Sequence, residues 1–413
     1  MKRSILVLLC AGLMASSYGT TARIVSMGKH DGFFMDEMSV FRNPANMSIY
    51  PNMLMGSYGE YKELPGEYST DYSSLERHNR DPQDAFFGAV LSYSLKQSSD
   101  EGSQYPMLSV GAGFNRKDAL LDYVQANAAI YGEEAVRNVL LAEPIGKVDI
   151  LLGYAFPNGG MIGAGAYLAF QNKQNKEYYS NREFTSSIYK GTIGMNWPVA
   201  SSMDLEASVG IASITAVGVN DTIVPIETRT LAKNDITVQG DLRLFSALTV
   251  LNGDFVPRIG IRYMQLQNGE TVNLDVVGGI GLNINIDKGF FWAGLDGLYE
   301  QRDREDGYTA DGIGGRVSFG IERNVVWDFF SIRVGGMKKI MYVKGAEDQG
   351  EWQQNPEGDA SDDDLVGLGF GFNIENRLKI DFVVAEDVPY TFTNLLSGPM
   401  HHVFTRVDAT YSF

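Results

Sequence analysis

The sequence predicts an all-β chain: a transmembrane antiparallel β-barrel of 14–16 strands, with an N-terminal hatch or plug segment. Three observations predict it. The stretch Thr271 to Asp287 alternates with period two, Val272, Leu274, Val276, Ile280, Leu282, Ile284 and Ile286 opposing Thr271, Asn273, Asp275, Asn283, Asn285 and Asp287. That is a strand with different solvents on its two faces, and it is long enough for the ~9–11 residues a tilted strand needs to cross a bilayer. The same pattern recurs along the chain, with short and long connections alternating. The chain also begins with a secretory leader and ends on an alternating segment closed by Phe413.

The leader is MKRSILVLLCAGLMASSYGTTA. Lys2 and Arg3 precede the apolar run Ile5 to Met14, and small residues follow to Ala22, with cleavage expected after Gly19 or Ala22. Residues 1–22 are therefore expected to be signal peptide, 23–50 the hatch segment, and 51–413 the barrel. The single cysteine, Cys10, lies in the leader behind Leu8 and Leu9, a context without the small residues that lipidation needs. The mature chain is then cysteine-free, which excludes disulfides, thiolate catalysis and cysteine metal sites. Past the leader no apolar run is long enough for a membrane helix, and mean hydropathy is −0.13. Alternation dilutes hydropathy, so a β-barrel stays open. Removing Lys2 and Arg3 leaves 32 basic against 51 acidic residues, a net charge of −19 that argues against nucleic acid as a partner.

In Arg23 to Tyr50, alternation is poor, and a short helix is expected over Phe33 to Arg42, stopped at Asn43-Pro44. Sixteen segments read as strands: 52–61, 85–96, 107–115, 147–156, 161–171, 184–197, 203–213, 236–250, 257–267, 271–287, 289–301, 311–322, 328–342, 365–374, 378–385 and 402–413. Expected tight turns include 157–160, 198–202, 252–254, Lys288 and 375–377. An even number of strands leaves both termini on the short-turn side, the periplasm.

The faces agree between strands. Ile313, Val317, Phe319 and Ile321 oppose Arg316, Ser318 and Glu322; Leu378, Ile380, Phe382 and Val384 oppose Lys379 and Asp381; Val403, Val407, Ala409, Tyr411 and Phe413 oppose Arg406, Asp408, Thr410 and Ser412. A charge on the lipid face costs ~2–4 kcal/mol at the midplane. Asp241, Arg243, Arg258, Arg262, Asp275, Asp296, Arg316, Arg333, Lys379, Asp381, Arg406 and Asp408 are therefore expected to face inward and to brace the lumen in pairs.

Asp36, Met38-Ser39-Val40-Phe41 and Asn43-Pro44-Ala45, followed at once by strands, resemble the N-terminal signature of the FadL/TodX outer-membrane transporter superfamily, including its PorV-like members. The resemblance implies a barrel of about fourteen strands whose hatch gates the lumen, with Asn43 capping or bonding to the wall. It also implies passage of a hydrophobic small molecule or, in PorV-like members, binding of secreted protein cargo. The chain departs from the pattern at Asn46, where the family usually has glycine. The ending Tyr411-Ser412-Phe413 resembles the aromatic signal read by barrel-assembly machinery. The expected setting is the outer membrane of a Gram-negative-type bacterium, with outer-membrane lipid as the surrounding partner.

Between Arg116 and Ala142, apolar residues recur at helical spacing. Leu120, Leu121, Val124, Tyr131, Val139 and Leu140 are the candidate ligand-binding residues; an amphipathic helix on the barrel rim is the plainer reading. The loop 345–364 holds eight carboxylates, among them Asp359, Asp362, Asp363 and Asp364, at no EF-hand spacing, and is expected to be solvated. No nucleophile elbow, phosphate loop or zinc spacing appears, so neither enzyme activity, metal nor cofactor is expected. Phe290, Phe291, Trp292, Tyr299, Trp327, Phe329 and Phe330 read as an interfacial girdle. Three functions fit: passive uptake of apolar small molecules, a PorV-like secretion accessory, and a structural or porin-like barrel.

Overall fold

The computed structural model describes residues 21–28, 30–59, 85–95, 106–116, 118, 120, 146–177, 180–220, 227–266, 271–303, 309–325, 327, 329–345, 351–353, 364–384 and 404–413. The strands are β1 (Met53–Tyr58), β2 (Phe86–Ser94), β3 (Met107–Phe114), β4 (Gly146–Ala155), β5 (Met161–Glu177), β6 (Ser180–Ala200), β7 (Met203–Asn220), β8 (Glu227–Leu248) and β9 (Gly253–Leu266). They continue as β10 (Thr271–Ile286), β11 (Gly289–Asp303), β12 (Thr309–Asn324), β13 (Phe330–Gly345), β14 (Glu351–Gln353), β15 (Asp364–Ile374), β16 (Leu378–Val384) and β17 (Phe404–Ser412). Each pairs antiparallel with its neighbours, and β17 returns to β1 with Met53 opposite Ser412 and Tyr58 opposite Val407. β14 and β15 both pair with β13, at Met341–Val343 and Phe330–Lys338, so they fill one position between them. The result is a closed barrel of sixteen positions, and closure removes the unpaired edges that an open sheet would expose.

Every expected strand is present. Some run further than their alternation: β5 ends at Glu177 rather than Gln171, and β8 starts at Glu227 rather than Ile236. Ladder hydrogen bonds join backbones, so pairing continues into polar sequence where the apolar row has stopped. The turns fall where expected, with that at 375–377 matching and that between β6 and β7 shortened from 198–202 to two residues. β6 passes through Pro198 with a bulge before Ala200, and the β8–β9 connection is a short 3-10 turn ending at Asn252 in the left-handed region. Lys288, Glu375 and Asn376 adopt the same left-handed conformation in two-to-three-residue hairpins, and Phe413 N–H donates to the Asn52 carbonyl, placing both barrel ends at the short-turn rim.

The outside is apolar. Phe87, Leu91, Ile150, Ile193, Ile211, Ile259, Ile313, Val317 and Phe319 are all exposed. Their neighbours along the chain point inward, as in β4, where Val148, Ile150 and Leu152 alternate with the buried Lys147, Asp149 and Leu151. A continuous belt of this kind is a surface for hydrocarbon, not for water. At β16 a bulge between Val383 and Val384 breaks the alternation, so Val384 is buried beside Leu368 and Phe370 instead of facing out. Trp292, expected in the interfacial girdle, lies inside the barrel. It is wholly buried against Phe33 and Phe34, because Phe291 takes the outward position in β11; Phe290 meets Phe34 on the inside. Trp327 and Phe329 stay exposed and stack on one another.

Candidate functional site

Residues 21–50 run inside the barrel, mostly toward its short-turn half. Helix α1 (Thr21–Ser26) comes first, then an irregular stretch, helix α2 (Ser39–Arg42) and a 3-10 turn over Pro44–Ser48. The expected helix over Phe33–Arg42 is confined to its last four residues. Phe33 and Phe34 instead spend their side chains on the wall, where Phe33 fits over Gly281 and Gly294. Close approach is possible because inward glycines leave room. A methyl group at Gly163 would overlap the Pro44–Ala45 backbone, and one at Gly335 would overlap the Met27–Gly28 peptide.

The motif residues have definite roles. Asp36 accepts the Met38 N–H through Oδ1 at 3.0 Å and pairs with Arg23 through Oδ2 at 3.4 Å. Asn43 does two things at once. Its Oδ1 accepts the Ala45 N–H at 3.2 Å, capping the 3-10 turn, and its Nδ2 donates to the Met195 carbonyl of β6 at 3.0 Å. Pro44 starts the turn, where its missing N–H costs nothing, and Pro44 and Ala45 press on β5. Asn46 uses its side chain: Nδ2 donates to Glu206 Oε1 at 3.2 Å and to Ser39 Oγ at 3.1 Å.

Ion pairs tie this segment to the wall. Arg23 donates to Glu322 at 2.9 Å and lies over the Phe34 and Phe290 rings; Arg333 joins the same Glu322 and reaches Asp381 at 2.6 Å. Arg42 pairs with Asp31 at 2.7 Å. Arg243 pairs with Glu206 at 2.6 Å and donates to the carbonyls of Asp31 and Phe34. Asp296 collects Arg258 at 2.8 Å, Arg316 at 2.9 Å and His30 Nε2 at 3.1 Å. His30 Nδ1 lies 3.4 Å from the Gly32 N–H, which assigns the proton to Nε2. Burial, and then the charges of Arg316 and Arg258, push this imidazole down to about 3, so it is neutral at physiological pH. The expected cross-strand bracing is thus present at Arg243, Arg258, Asp296, Arg316, Arg333 and Asp381, whereas Arg406 and Asp408 pair with each other within β17.

A second network lies on the long-loop side. Arg116 donates to Asp149 at 2.9 and 2.7 Å and to Asp118 at 3.1 Å, and Lys190 closes on Asp118 at 3.1 Å. The Arg116 guanidinium sits 4.7 Å from the Phe41 ring centre and 5.0 Å from that of Tyr167. Leu120 is buried just beyond, its N–H donated to Asp118 at 3.0 Å. Leu121, Val124, Tyr131, Val139 and Leu140 lie outside the described residues, as do Asp359, Asp362 and Asp363 of the acidic loop.

Asp149, Lys190, Glu206 and Glu322 belong to the inward rows of their strands, so extending the period-two rule to the first half of the barrel finds Asp149, Lys190 and Glu206. Nothing in the sequence marks Arg116, Asp118, His30 or Glu37, whose partners Asp149, Lys190, Asp296 and Thr410 lie on strands distant in sequence.

Fold and interior together define a closed β-barrel with an apolar exterior and an ion-paired lumen occupied by its own N-terminal segment. No family model matches the chain, and no curated protein matches it. Among solved structures it is similar to a deletion mutant of the monoaromatic hydrocarbon channel TodX, at 11% identity and TM-score 0.40, covering 96% of this chain and 99% of that one. The P. putida toluene transporter TodX itself gives 10% identity and TM-score 0.33 over 96% and 99% of the two chains. CdiB from Escherichia coli gives 10% and 0.40 over 87% of this chain and 63% of that one. Likenesses this weak say nothing of a ligand, and the chain's own side chains have to supply that.

Proposed function

We propose that the protein is an outer-membrane barrel that admits apolar small molecules passively, with residues 21–50 as a removable obstruction in the lumen. One observation carries this reading. Among the described residues the segment shares no strand pairing with the wall: ion pairs and hydrogen bonds to Glu322, Glu206, Met195 and Asp408, with apolar packing on Trp292 and Leu151, seat it inside a barrel that is already closed without it. An obstruction held in this way can be displaced without breaking a strand pair. The belt of exposed Ile, Leu, Val and Phe supports placement in a bilayer. Leu120, buried above the Arg116–Phe41 contact, supports an apolar entry next to the segment.

Native mass spectrometry with lipid extraction on the detergent-purified protein tests this. Apolar molecules retained by the wild type, and lost when Leu120, Val124 and Tyr131 are made polar, are the expected result. A retained secreted protein would replace uptake with an accessory role in secretion. An empty barrel indifferent to apolar ligands overturns uptake.

A further inference from the structure

The barrel closes where β1 meets β17, and the N-terminal segment is pinned against that seam. Ala22 N–H donates to Asp408 Oδ2 at 2.6 Å; Arg406 donates to Asp408 Oδ1 at 2.8 Å and to Ser57 Oγ of β1 at 2.6 Å. A small crevice remains, lined by Glu37, Ser57, Phe86, Asp408 and Thr410. Into it points Glu37, only 1% exposed. Its Oε2 accepts from Thr410 Oγ1 at 3.4 Å, while Oε1 has no hydrogen-bond partner among the described residues. A buried carboxylate oxygen in that position gives up its hydration with no hydrogen bond in exchange.

The surrounding charges act in both directions, Lys379 and Arg23 favouring the ionised form and Asp36 and Asp381 opposing it. Facing Glu37 are Asp36 beside it, Arg23 from α1, Lys379 and Asp381 from β16, and Asp408 from β17. Glu322 and Arg333, from β12 and β13, complete the cluster, and Arg406 serves Asp408. That makes five carboxylates, Asp36, Glu37, Glu322, Asp381 and Asp408, against four cations, Arg23, Arg333, Lys379 and Arg406. Tyr50, close by, is uncharged. Asp31 of the segment and Glu206 of β7 have Arg42 and Arg243. Counted over these side chains, the carboxylates exceed the cations by one.

We propose that Glu37 is a proton-binding site at the closure seam, and that its neutral form docks the N-terminal segment onto β17. Asp36 is the weaker candidate for the proton, because its two oxygens are already engaged by Arg23 and the Met38 N–H. Burial raises the Glu37 carboxyl well above the ordinary range, with Asp36 and Asp381 pushing the same way and Lys379 opposing. A carboxyl raised in the docked state favours docking at low pH, and the benefit is lost as pH rises through its docked value. This holds whether or not the barrel passes a ligand.

Hydrogen exchange measured by mass spectrometry on the full chain, corrected for intrinsic rates, tests the assignment over residues 36–48. Wild type is expected to lose protection by up to about tenfold per pH unit once Glu37 ionises, whereas Glu37→Gln keeps its protection and Asp36→Asn keeps the wild-type slope. A wild-type slope of zero, or an unchanged slope in Glu37→Gln, overturns the proposal. Should Glu37→Gln fail to fold, infrared spectroscopy of wild type and Asp36→Asn decides. A protonated-carboxyl band present in both at neutral pH and lost on alkalinisation supports the site. Its absence from wild type, or its loss in Asp36→Asn, overturns it.

Discussion

Arg243 holds Glu206 at 2.6 Å with one nitrogen and the carbonyls of Asp31 and Phe34 at 2.9 Å each with another. One wall residue therefore neutralises a buried carboxylate of the neighbouring strand and fastens the segment that crosses the lumen. Substituting it breaks both.

Arg243→Met is accordingly expected to be costly, because it leaves Glu206 buried with less compensation; losses of ~3–5 kcal/mol are typical when one partner of a buried pair is removed. Asn46 and Arg42 still face Glu206, which places the expectation at the lower end. Adding Glu206→Leu removes the stranded charge and is expected to recover much of the loss. Urea unfolding of both variants in lipid vesicles checks this.

Gly163→Ala and Gly335→Ala act on the segment rather than the wall. Each added methyl meets main chain of residues 21–50, which cannot rotate away as a side-chain tip can. Overpacking costs of ~1–3 kcal/mol fall on docking. The expected outcome is faster hydrogen exchange in 21–50 and higher single-channel conductance, with β5 and β13 exchange unchanged.

His30 makes docking sensitive to acid. Its docked value of about 3 lies below the ordinary 6.5, so its contribution is whole above about pH 6.5 and is lost as pH falls toward 3. Glu37 has the opposite sign, so the segment is held best between the two titrations. The His30 ring resonance, assigned by its loss in His30→Gln, is expected not to titrate between pH 8 and 5. A shift with midpoint near 6.5 contradicts the burial.

Val317 tests the lipid face. It is 56% exposed in the middle of β12. Val317→Lys is expected to destabilise the barrel in vesicles by ~2–4 kcal/mol, with a smaller effect for a lysine placed near either rim.

The leader can be tested by intact mass. Ala22 is buried in α1 with its N–H on Asp408, and it packs against Val383. Cleavage after Ala22 removes these contacts, and cleavage after Gly19 keeps them. The expected mature chain begins at Thr20.

The sequence by itself determined the barrel and the facing of its strands. Lipid outside and charge inside impose a period of two on each strand, and that period is written in consecutive residues such as Ile313 to Ile321. It also set the weakly alternating stretch from Arg23 to Tyr50 apart from the strands, although the segment inside the barrel already begins at Thr21. Tertiary structure decided everything that depends on residues far apart in the chain. Arg23 meets Glu322 and His30 meets Asp296 across separations of 299 and 266 residues, with no local pattern to announce them. The extra length of β5 and β8 was decided by backbone pairing, which is indifferent to hydropathy. Trp292 turned inward because Phe33 and Phe34 supplied an apolar surface inside the lumen. The lone Oε1 of Glu37 exists only because the first and last strands bring Ser57 and Asp408 to the same seam.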